Sequence, residues 1–198
     1  MEKKWNLFTK GTVQRAMSND KYKIYAFFGK SGAGKDTIQK WIVSHRDYET
    51  KGIVSCTTRP KRDNEVDGED YYFLTNEEFT KEVLNGNMLE ATEFNDWFYG
   101  TRISELDKDK INVGVFNIQG IECLLDDPRL DVTPFYVDVP DKTRLMRVLQ
   151  REENPDCHEI CRRFLSDEKD FDDIDFEYET IYNHSDFGYV VIQIDRFL

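Results

Sequence analysis

The sequence predicts an α/β fold in which helices flank a mainly parallel sheet. Short apolar runs that suit strands alternate with segments of helical periodicity, and a glycine-rich turn joins the first apolar run to the first helical segment. The length of 198 residues suffices for one well-buried domain. Such alternation is typical of βαβ units, in which each connection crosses a face of the sheet and leaves the strands parallel.

The predicted elements begin near residue 23 and continue to the C-terminal region. Strands are predicted at 23–29, 52–58, 111–118, 133–139 and 189–194, where apolar and β-branched residues dominate. Helices are predicted at 35–45, 76–84, 142–150 and 157–171, where apolar residues recur every three or four positions. Two of these helices start with a capping box, formed by Thr75 with Glu78 and by Asp156 with Glu159.

The composition excludes several classes of protein. The net charge of −12 argues against a nucleic-acid polymer as partner, because such polymers are held through their phosphates by broad basic faces. No apolar run approaches the roughly 20 residues that span a bilayer, and the first residues lack the apolar region of a signal peptide. The cysteines at 56, 123, 157 and 161 have no disulfide-framework spacing. We therefore expect a cytoplasmic protein without a membrane partner, and the sequence leaves its oligomeric state open.

The turn after the first predicted strand has the Gly-x4-Gly-Lys spacing of a phosphate-binding P-loop. Its glycines allow positive φ, so the loop can turn its N–H groups inward, and the following helix points its positive end at the same place. Lys35 can reach the β- and γ-phosphates of a nucleotide. The predicted phosphate-binding residues are Gly29, Lys30, Ser31, Gly32, Ala33, Gly34, Lys35, Asp36 and Thr37.

One position of this loop departs from the pattern. Asp36 stands where a Ser or Thr hydroxyl normally meets Mg²⁺, and Thr37 follows one place later. Either Asp36 approaches the metal directly or through water, or Thr37 replaces the missing hydroxyl. The sequence leaves both alternatives open.

A second phosphate site is predicted where the strand at 52–58 leads into a polar loop that contains proline. Arg59 and Arg62 lie three residues apart at the loop entry, so two guanidinium groups could share one phosphate, and Tyr71 could add a hydroxyl donor. A second phosphate site beside a P-loop is what a phosphoryl acceptor requires.

The motifs at 55–59, at Arg62, at 65–73, at Glu90 and at 98–101 together resemble those of guanylate kinase. The resemblance runs from about residue 23 to the C-terminus and is densest between 29 and 101. It implies transfer of a phosphoryl group from ATP to GMP or dGMP, with Mg²⁺ as cofactor. It also implies one domain over 1–198, with an extension at 1–21, a core at 22–54, 104–146 and 164–198, a GMP-binding lobe at 55–103 and a lid at 147–163.

Transferred residue by residue, the resemblance implies an acceptor site. Its phosphate would be held by Arg59, Arg62, Tyr71 and Tyr99, and its guanine would be surrounded by Ser55, Glu90 and Thr101. The chemistry of Glu90 agrees, because an ionised carboxylate only accepts hydrogen bonds and guanine offers two adjacent donors, N1–H and N2–H. Adenine has a bare lone pair at N1, so a buried Glu90 would disfavour AMP.

Two positions depart from the family pattern, which usually has acidic residues on the strand before a Gln-Gly pair. This chain has Val115 and Asn117 before Gln119 and Gly120. Val115 cannot bind a metal, whereas Asn117 can still hydrogen-bond a base and stays a candidate for contact with GMP. A carboxylate moved to the P-loop side, at Asp36, is one hypothesis for how Mg²⁺ is then supported.

The predicted lid is rich in arginine. Four arginines bracket the segment 152–159 in a pattern similar to the family's mobile lid, with the donor phosphates beneath it. Because charge spreads over the equatorial oxygens in phosphoryl transfer, positioned cations supply most of the catalysis. The predicted catalytic residues are Lys35, Arg147, Arg151 and Arg162. For any single lid arginine, the alternative is a surface residue that balances nearby acids.

Two other functions stay open at this point. One is a nucleoside monophosphate kinase of broader specificity, because Val115 and Asn117 lie in the region expected to contact the nucleotide. The other is a non-catalytic protein-binding module with the same fold, against which the intact P-loop and the arginines argue.

Overall fold

The computed structural model describes residues 21–45, 48–62, 65–94, 96–151, 154–184 and 186–198, so most of the predicted extension at 1–21 lies outside the described residues. The strands are β1 (Tyr22–Phe28), β2 (Thr50–Gly52), β3 (Cys56–Thr57), β4 (Tyr72–Phe73), β5 (Met88–Phe94), β6 (Trp97–Arg102), β7 (Ile111–Val115), β8 (Leu130–Asp138) and β9 (Glu179–Tyr182). The α-helices are α1 (Lys35–Ser44), α2 (Asn76–Leu84), α3 (Ile118–Leu125), α4 (Asp141–Gln150), α5 (Cys157–Asp170) and α6 (Phe187–Ile194).

Five parallel strands form the main sheet in the order β2-β7-β1-β8-β9. The central strand β1 pairs on both sides, with Ala26 opposite Gly114 of β7 and Pro134 of β8. A central parallel strand is covered on both faces, which explains why the sequence of β1 is almost continuously apolar. The P-loop leaves its carboxyl end, the edge at which parallel sheets bind ligands. The predicted α/β fold is confirmed.

Helices cover both faces of this sheet. Successive side chains of β1 point to opposite faces, so the strand contributes residues to the hydrophobic core on each side. On one face, Phe27 packs in a cluster with Ile38 of α1 and Val190 of α6. On the other face, Phe28 packs in a cluster with Ile121 of α3. The sheet is therefore held between α1 and α6 on one side and α3 on the other.

The predicted strand at 189–194 is wrong, because these residues belong to helix α6. A short apolar run does not distinguish a strand from a buried helix. The local signal is Asp186, whose side chain caps the helix by accepting a hydrogen bond from the Gly188 N–H at 2.7 Å. The last strand of the sheet is instead β9 at Glu179–Tyr182, which the sequence reading missed.

A smaller mixed sheet has the strand order β4-β3-β6-β5. In sequence, its strands follow β2 and precede β7 of the main sheet. The hairpin of β5 and β6 was not predicted. It places Glu90 opposite Thr101, next to a register shift between Met88 and Glu90. Helix α2 packs on this sheet through Phe79.

The two predicted capping boxes have different outcomes. The box at α2 is confirmed: the Thr75 side chain accepts from the Glu78 N–H, and Glu78 accepts from the Thr75 N–H. At α5 only half of the box forms. Asp156 accepts from the Glu159 N–H at 3.1 Å, but the Glu159 carboxylate pairs with two arginines of its own helix.

Candidate active site

A cleft of about 560 Å³ lies where the P-loop, the smaller sheet and helices α4 and α5 meet. Predicted site residues that line it are Gly29, Ser31, Gly32, Lys35, Asp36, Ser55, Arg59, Arg62, Tyr71, Glu90, Tyr99, Asn117 and Arg151. Predicted residues outside the lining are Lys30, Ala33, Gly34, Thr37, Thr101, Arg147 and Arg162. The cleft thus brings together most of the residues predicted for two different phosphate sites.

The P-loop has the backbone that its glycines predict. Gly32 and Gly34 have φ values of 80° and 88°, in the left-handed region that disfavours other residues. A Cβ at Gly32 would also lie 2.8 Å from the carbonyl oxygen of Arg144, so the loop approaches α4 too closely for a side chain. Helix α1 starts at Lys35 without a side-chain cap, which leaves N–H groups of its first turn for an anion.

Lys35 is folded back over its own loop. Its ammonium donates to the carbonyl oxygens of Gly29 at 2.7 Å and Lys30 at 3.3 Å. Burial lowers the pKa of this ammonium, and the carboxylates of Asp36 and Asp167 oppose that shift. The two carbonyl contacts hold the lysine beside the position that a nucleotide phosphate takes in a P-loop.

Four guanidinium groups converge in the cleft. Burial lowers the pKa of Arg62, and the neighbouring charges of Arg59, Arg163 and Arg151 lower it further. Arg59 is almost fully buried and lies over the ring of Tyr71, with its guanidinium carbon 5.5 Å from the ring centroid. Because these positive charges repel one another, the arrangement favours a bound anion between them.

Two of the predicted lid arginines lie outside the cleft lining, whereas Arg151 is part of it. Arg147 donates to the carbonyl oxygen of Asn183 at 3.1 Å, and Arg162 pairs with Glu159 at 2.7 Å, and neither lines the cleft. Arg163, which also pairs with Glu159 at 2.7 Å, does line the cleft. Helical periodicity could have identified Arg163, because it shares the cleft-facing side of α5 with Ile160, which lies three residues earlier.

A buried carboxylate lies at the end of the cleft formed by the smaller sheet. Glu90 is 3% exposed, and burial raises its pKa to about 7, although hydrogen bonds from the side chain and backbone of Thr101 oppose the shift. The Ser55 hydroxyl lies 3.2 Å from the Thr101 hydroxyl. The end of the cleft therefore combines the Glu90 carboxylate with the Ser55 hydroxyl, and both can accept hydrogen bonds from a ligand that carries adjacent N–H donors.

Asn117 lines the same end of the cleft, where both groups of its amide have partners. Its oxygen accepts from the Gly120 N–H at 2.7 Å and so caps α3, and its nitrogen donates to the Thr92 hydroxyl at 2.8 Å. Thr92 was not singled out in the sequence. Because its oxygen already accepts from Asn117, its hydroxyl proton can be donated to a ligand.

Mg²⁺ prefers oxygen ligands and retains several waters when phosphates supply the others. The exposed carboxylate of Asp36, in the first turn of α1, fits the role of one protein ligand. Over the described ranges, no cluster of three or more His, Cys, Asp or Glu side chains is arranged to hold a metal ion. In the same part of the chain, no helix has the length and apolar character needed to cross a membrane.

Comparisons with known proteins agree with this geometry. The family model described as "Guanylate kinase" matches residues 21–198. Guanylate kinases of two Streptococcus pyogenes strains, serotype M3 (ATCC BAA-595 / MGAS315) and serotype M18 (MGAS8232), are each 44% identical over 81 residues, which cover 41% of this chain and 38% of each relative. The aligned part thus spans well under half of these relatives' length.

A solved structure extends the likeness of the fold to most of the chain. The crystal structure of guanylate kinase from Anaplasma phagocytophilum superposes with a TM-score of 0.68 at 21% identity, and the match covers 92% of this chain and 87% of that one. At this identity the match establishes the fold. With a family match over residues 21–198 and this fold, the chain belongs to the guanylate kinase family.

Proposed function

We propose that this protein is an enzyme, a guanylate kinase that transfers the γ-phosphoryl group of ATP to GMP or dGMP and yields ADP with GDP or dGDP. The observation that carries the proposal is the convergence of Lys35 with four arginines in one cleft that ends at a buried carboxylate. A P-loop alone serves many reactions, whereas a second phosphate site and a base-reading carboxylate beside it suit a nucleotide acceptor.

The donor phosphates would lie on the P-loop and the start of α1. Lys35 would exchange its contacts with the Gly29 and Lys30 carbonyl oxygens for oxygens of the β- and γ-phosphates. An oxygen of the acceptor phosphate attacks the γ-phosphorus, and the bond from that phosphorus to the β–γ bridging oxygen breaks as ADP leaves. The attacking oxygen is already anionic, so the reaction requires no general base, and alignment and charge neutralisation supply the catalysis.

The acceptor phosphate would be held by Arg59, Arg62, Tyr71 and Tyr99. Burial raises the pKa of the Tyr71 hydroxyl, with Asp36 the next contribution, so Tyr71 keeps its proton and can donate a hydrogen bond to the phosphate. Arg151 and Arg163 line the cleft near Arg62 and would contact the transferred group. Roles for Arg147 and Arg162 stay predictions from the sequence.

The base would be recognised at Glu90. An ionised Glu90 would accept from N1–H and N2–H of guanine, and the Ser55 hydroxyl, which lines the cleft, would add a further contact. Thr101 lies outside the lining and would act through its hydrogen bonds to Glu90. Adenine would leave this buried carboxylate unpaired, a penalty that can reduce kcat/KM by roughly 10⁴. Asn117, held by Thr92 and by its cap of α3, would shape this end of the cleft.

Mg²⁺ bound with ATP would neutralise part of the negative charge on the phosphates during transfer. Asp36 is the residue that would hold it, with Thr37 as the alternative. The substrates are free nucleotides, and the acidic composition supports a protein without a nucleic-acid polymer or a membrane as partner. We infer that the site of action is the cytoplasm.

A coupled assay of ADP release tests the proposal. MgATP is supplied with GMP, dGMP, AMP, CMP, UMP or dTMP, and we expect turnover with the two guanine nucleotides. A comparable rate with AMP or a pyrimidine nucleotide would favour a kinase of broader specificity. If none of the acceptors is phosphorylated, the proposal that the protein is an enzyme is wrong, and a non-catalytic protein-binding module is favoured.

A further inference from the structure

A buried ion pair joins the two helices that flank the predicted lid. Nη1 of Arg144, on α4, lies 3.0 Å from Oδ2 of Asp167, on α5, and both side chains are almost fully buried. The ring of Phe164 lies below the guanidinium, 4.4 Å from its carbon to the ring centroid. None of these three residues has a role in the chemistry described above.

This pair holds one residue of the P-loop through both its backbone groups. Arg144 donates from Nη1 to the carbonyl oxygen of Ser31 at 2.9 Å, and Asp167 accepts from the Ser31 N–H at 2.7 Å. The Ser31 hydroxyl donates to the other carboxylate oxygen of Asp167 at 3.3 Å. The ion pair thus fixes the peptide planes on both sides of Ser31.

Close packing next to Ser31 restricts the loop further. A Cβ at Gly32 would lie 2.8 Å from both the Arg144 carbonyl oxygen and Cγ2 of Val148, so the P-loop rests directly on α4. Lys30, on the other side of Ser31, forms an ion pair of 2.6 Å with Glu168 of α5. The first half of the loop is therefore held between α4 and α5.

The same helix also carries a cation of the cleft. Arg163 lies four residues before Asp167, so the two side chains share one face of α5, and both line the cleft. A change at Asp167 that lets α5 move would therefore displace Arg163 relative to Lys35. The pair connects the geometry of the P-loop to the position of a lid arginine.

The energetics indicate a geometric role. Burying two charges costs desolvation that their attraction only partly returns, so an apolar pair could stabilise these helices as well. An apolar pair could not hold the N–H and C=O groups of Ser31. Loss of Arg144 would leave the Asp167 carboxylate buried without its cation, whereas loss of Asp167 would leave Arg144 with its other partner, Asp141, at 2.6 Å.

We propose that Arg144 and Asp167 are positioning residues, which hold the P-loop in the conformation that receives the donor phosphates and fix α5, with Arg163, against it. This inference rests on the proposed function. It adds a pair of residues that act on the site through Ser31.

Binding measurements on the full chain test the inference. Calorimetry gives the Kd of MgATP and of GMP separately for the parent, for Asp167→Asn and for Arg144→Lys, and thermal unfolding is followed for each. Because a hydrogen bond to a charged group is lost, we expect the Kd of MgATP to rise roughly tenfold or more in Asp167→Asn, with the Kd of GMP within about twofold. The control is Asp173→Asn, an exposed residue just beyond α5 that removes the same charge and should change neither value.

The outcomes separate the two proposals. A parent protein that does not bind MgATP overturns the proposed function. A parent that binds MgATP, with unchanged affinity in both variants, overturns only the positioning role, even if their unfolding temperatures fall. An equal loss of MgATP and GMP affinity also overturns it, because that pattern reports a general loss of structure. If Asp167→Asn does not fold, Arg144→Lys is judged by the same criteria, since it keeps the charge and removes the guanidinium fork.

Discussion

Arg59 donates two hydrogen bonds to the Glu65 carboxylate, from Nη1 to Oε2 at 3.0 Å and from Nη2 to Oε1 at 2.8 Å. Both side chains are more than nine-tenths buried. Glu65 also accepts from the Arg62 backbone N–H at 2.9 Å. The carbonyl oxygen of Pro60 takes the second Nη1 hydrogen of Arg59. This arrangement leaves the Nε and Nη2 edge of Arg59 for an anion such as the phosphate of the proposed acceptor, because a guanidinium can bind phosphate through two parallel hydrogen bonds.

The first prediction concerns Glu65→Gln. This change removes the charge that orients Arg59 but keeps the side-chain shape, so we expect the KM for GMP to rise roughly tenfold while the KM for MgATP stays within about twofold. Steady-state kinetics with each substrate varied measures both values. The matched control is Glu69→Gln, an exposed residue of the same loop. Equal effects of the two variants on the KM for GMP would show that the ion pair of Glu65 with Arg59 does not contribute to GMP binding.

The second prediction is a pH dependence of GMP binding. Burial raises the pKa of Glu90 to about 7, so the carboxyl is mostly protonated at pH 6 and mostly ionised at pH 8. Only the ionised form accepts from both guanine donors. The affinity for GMP should therefore increase about tenfold from pH 6 to pH 8 and then level off.

Calorimetric titrations at several pH values test this dependence, with Glu90→Gln as the control. The GMP phosphate also titrates in this range, and the variant retains that contribution while it removes the one from Glu90. An identical pH profile in the parent and in Glu90→Gln would contradict the assignment of the base pocket.

The third prediction decides between two neighbouring arginines. Sequence reasoning favours Arg162 as catalytic, whereas the structure places Arg163 in the cleft lining and Arg162 outside it. Both arginines pair with Glu159 at 2.7 Å, so only their position relative to the cleft distinguishes them. Loss of a cation that stabilises the transferring group typically costs 10²–10³ in kcat, so we expect that loss for Arg163→Ala and less than about fivefold for Arg162→Ala. A larger loss for Arg162→Ala would restore the assignment made from the sequence.

The fourth prediction concerns the metal. If Asp36 holds Mg²⁺, Asp36→Asn should raise the Mg²⁺ concentration for half-maximal ATP binding about tenfold or more, and Thr37→Val should leave it nearly unchanged. Titration of Mg²⁺ at fixed ATP, followed by nucleotide binding, measures both variants. The reverse result would assign the metal to Thr37. If neither substitution changes the Mg²⁺ requirement, neither side chain is a ligand of the metal.

Local motifs determined which parts of the site could be predicted. The spacing of the P-loop and of Arg59, Arg62 and Tyr71 is set within short segments, and these residues meet in the cleft. By contrast, the choice between Arg162 and Arg163 depends on which face of α5 packs inward. Arg144 and Asp167 are 23 residues apart in sequence, and their pairing depends on how closely helices α4 and α5 approach each other. Such contacts leave no local pattern.

The fold shows the same division. Helices with regular periodicity, such as α1 and α2, were predicted close to their observed bounds, and α2 also has the capping box of Thr75 and Glu78. The apolar segment of α6 was predicted as a strand because eight consecutive, mostly apolar residues suit either element, and the cap at Asp186 was overlooked. The hairpin of β5 and β6 does not show a regular alternation of apolar and polar residues, because some of its side chains pack in the core, such as Met88 and Phe98, while others, such as Glu90 and Tyr99, line the cleft.

The most direct test of the central claim is the ratio of kcat/KM for GMP to kcat/KM for AMP, with saturating MgATP. We expect a ratio of roughly 10⁴ or more in the parent, because adenine would leave the Glu90 carboxylate buried without a partner. We also expect that the ratio falls sharply in Glu90→Gln. A parent that phosphorylates AMP as efficiently as GMP, or neither, would contradict the claim that this cleft joins an ATP site to a guanine-specific acceptor site.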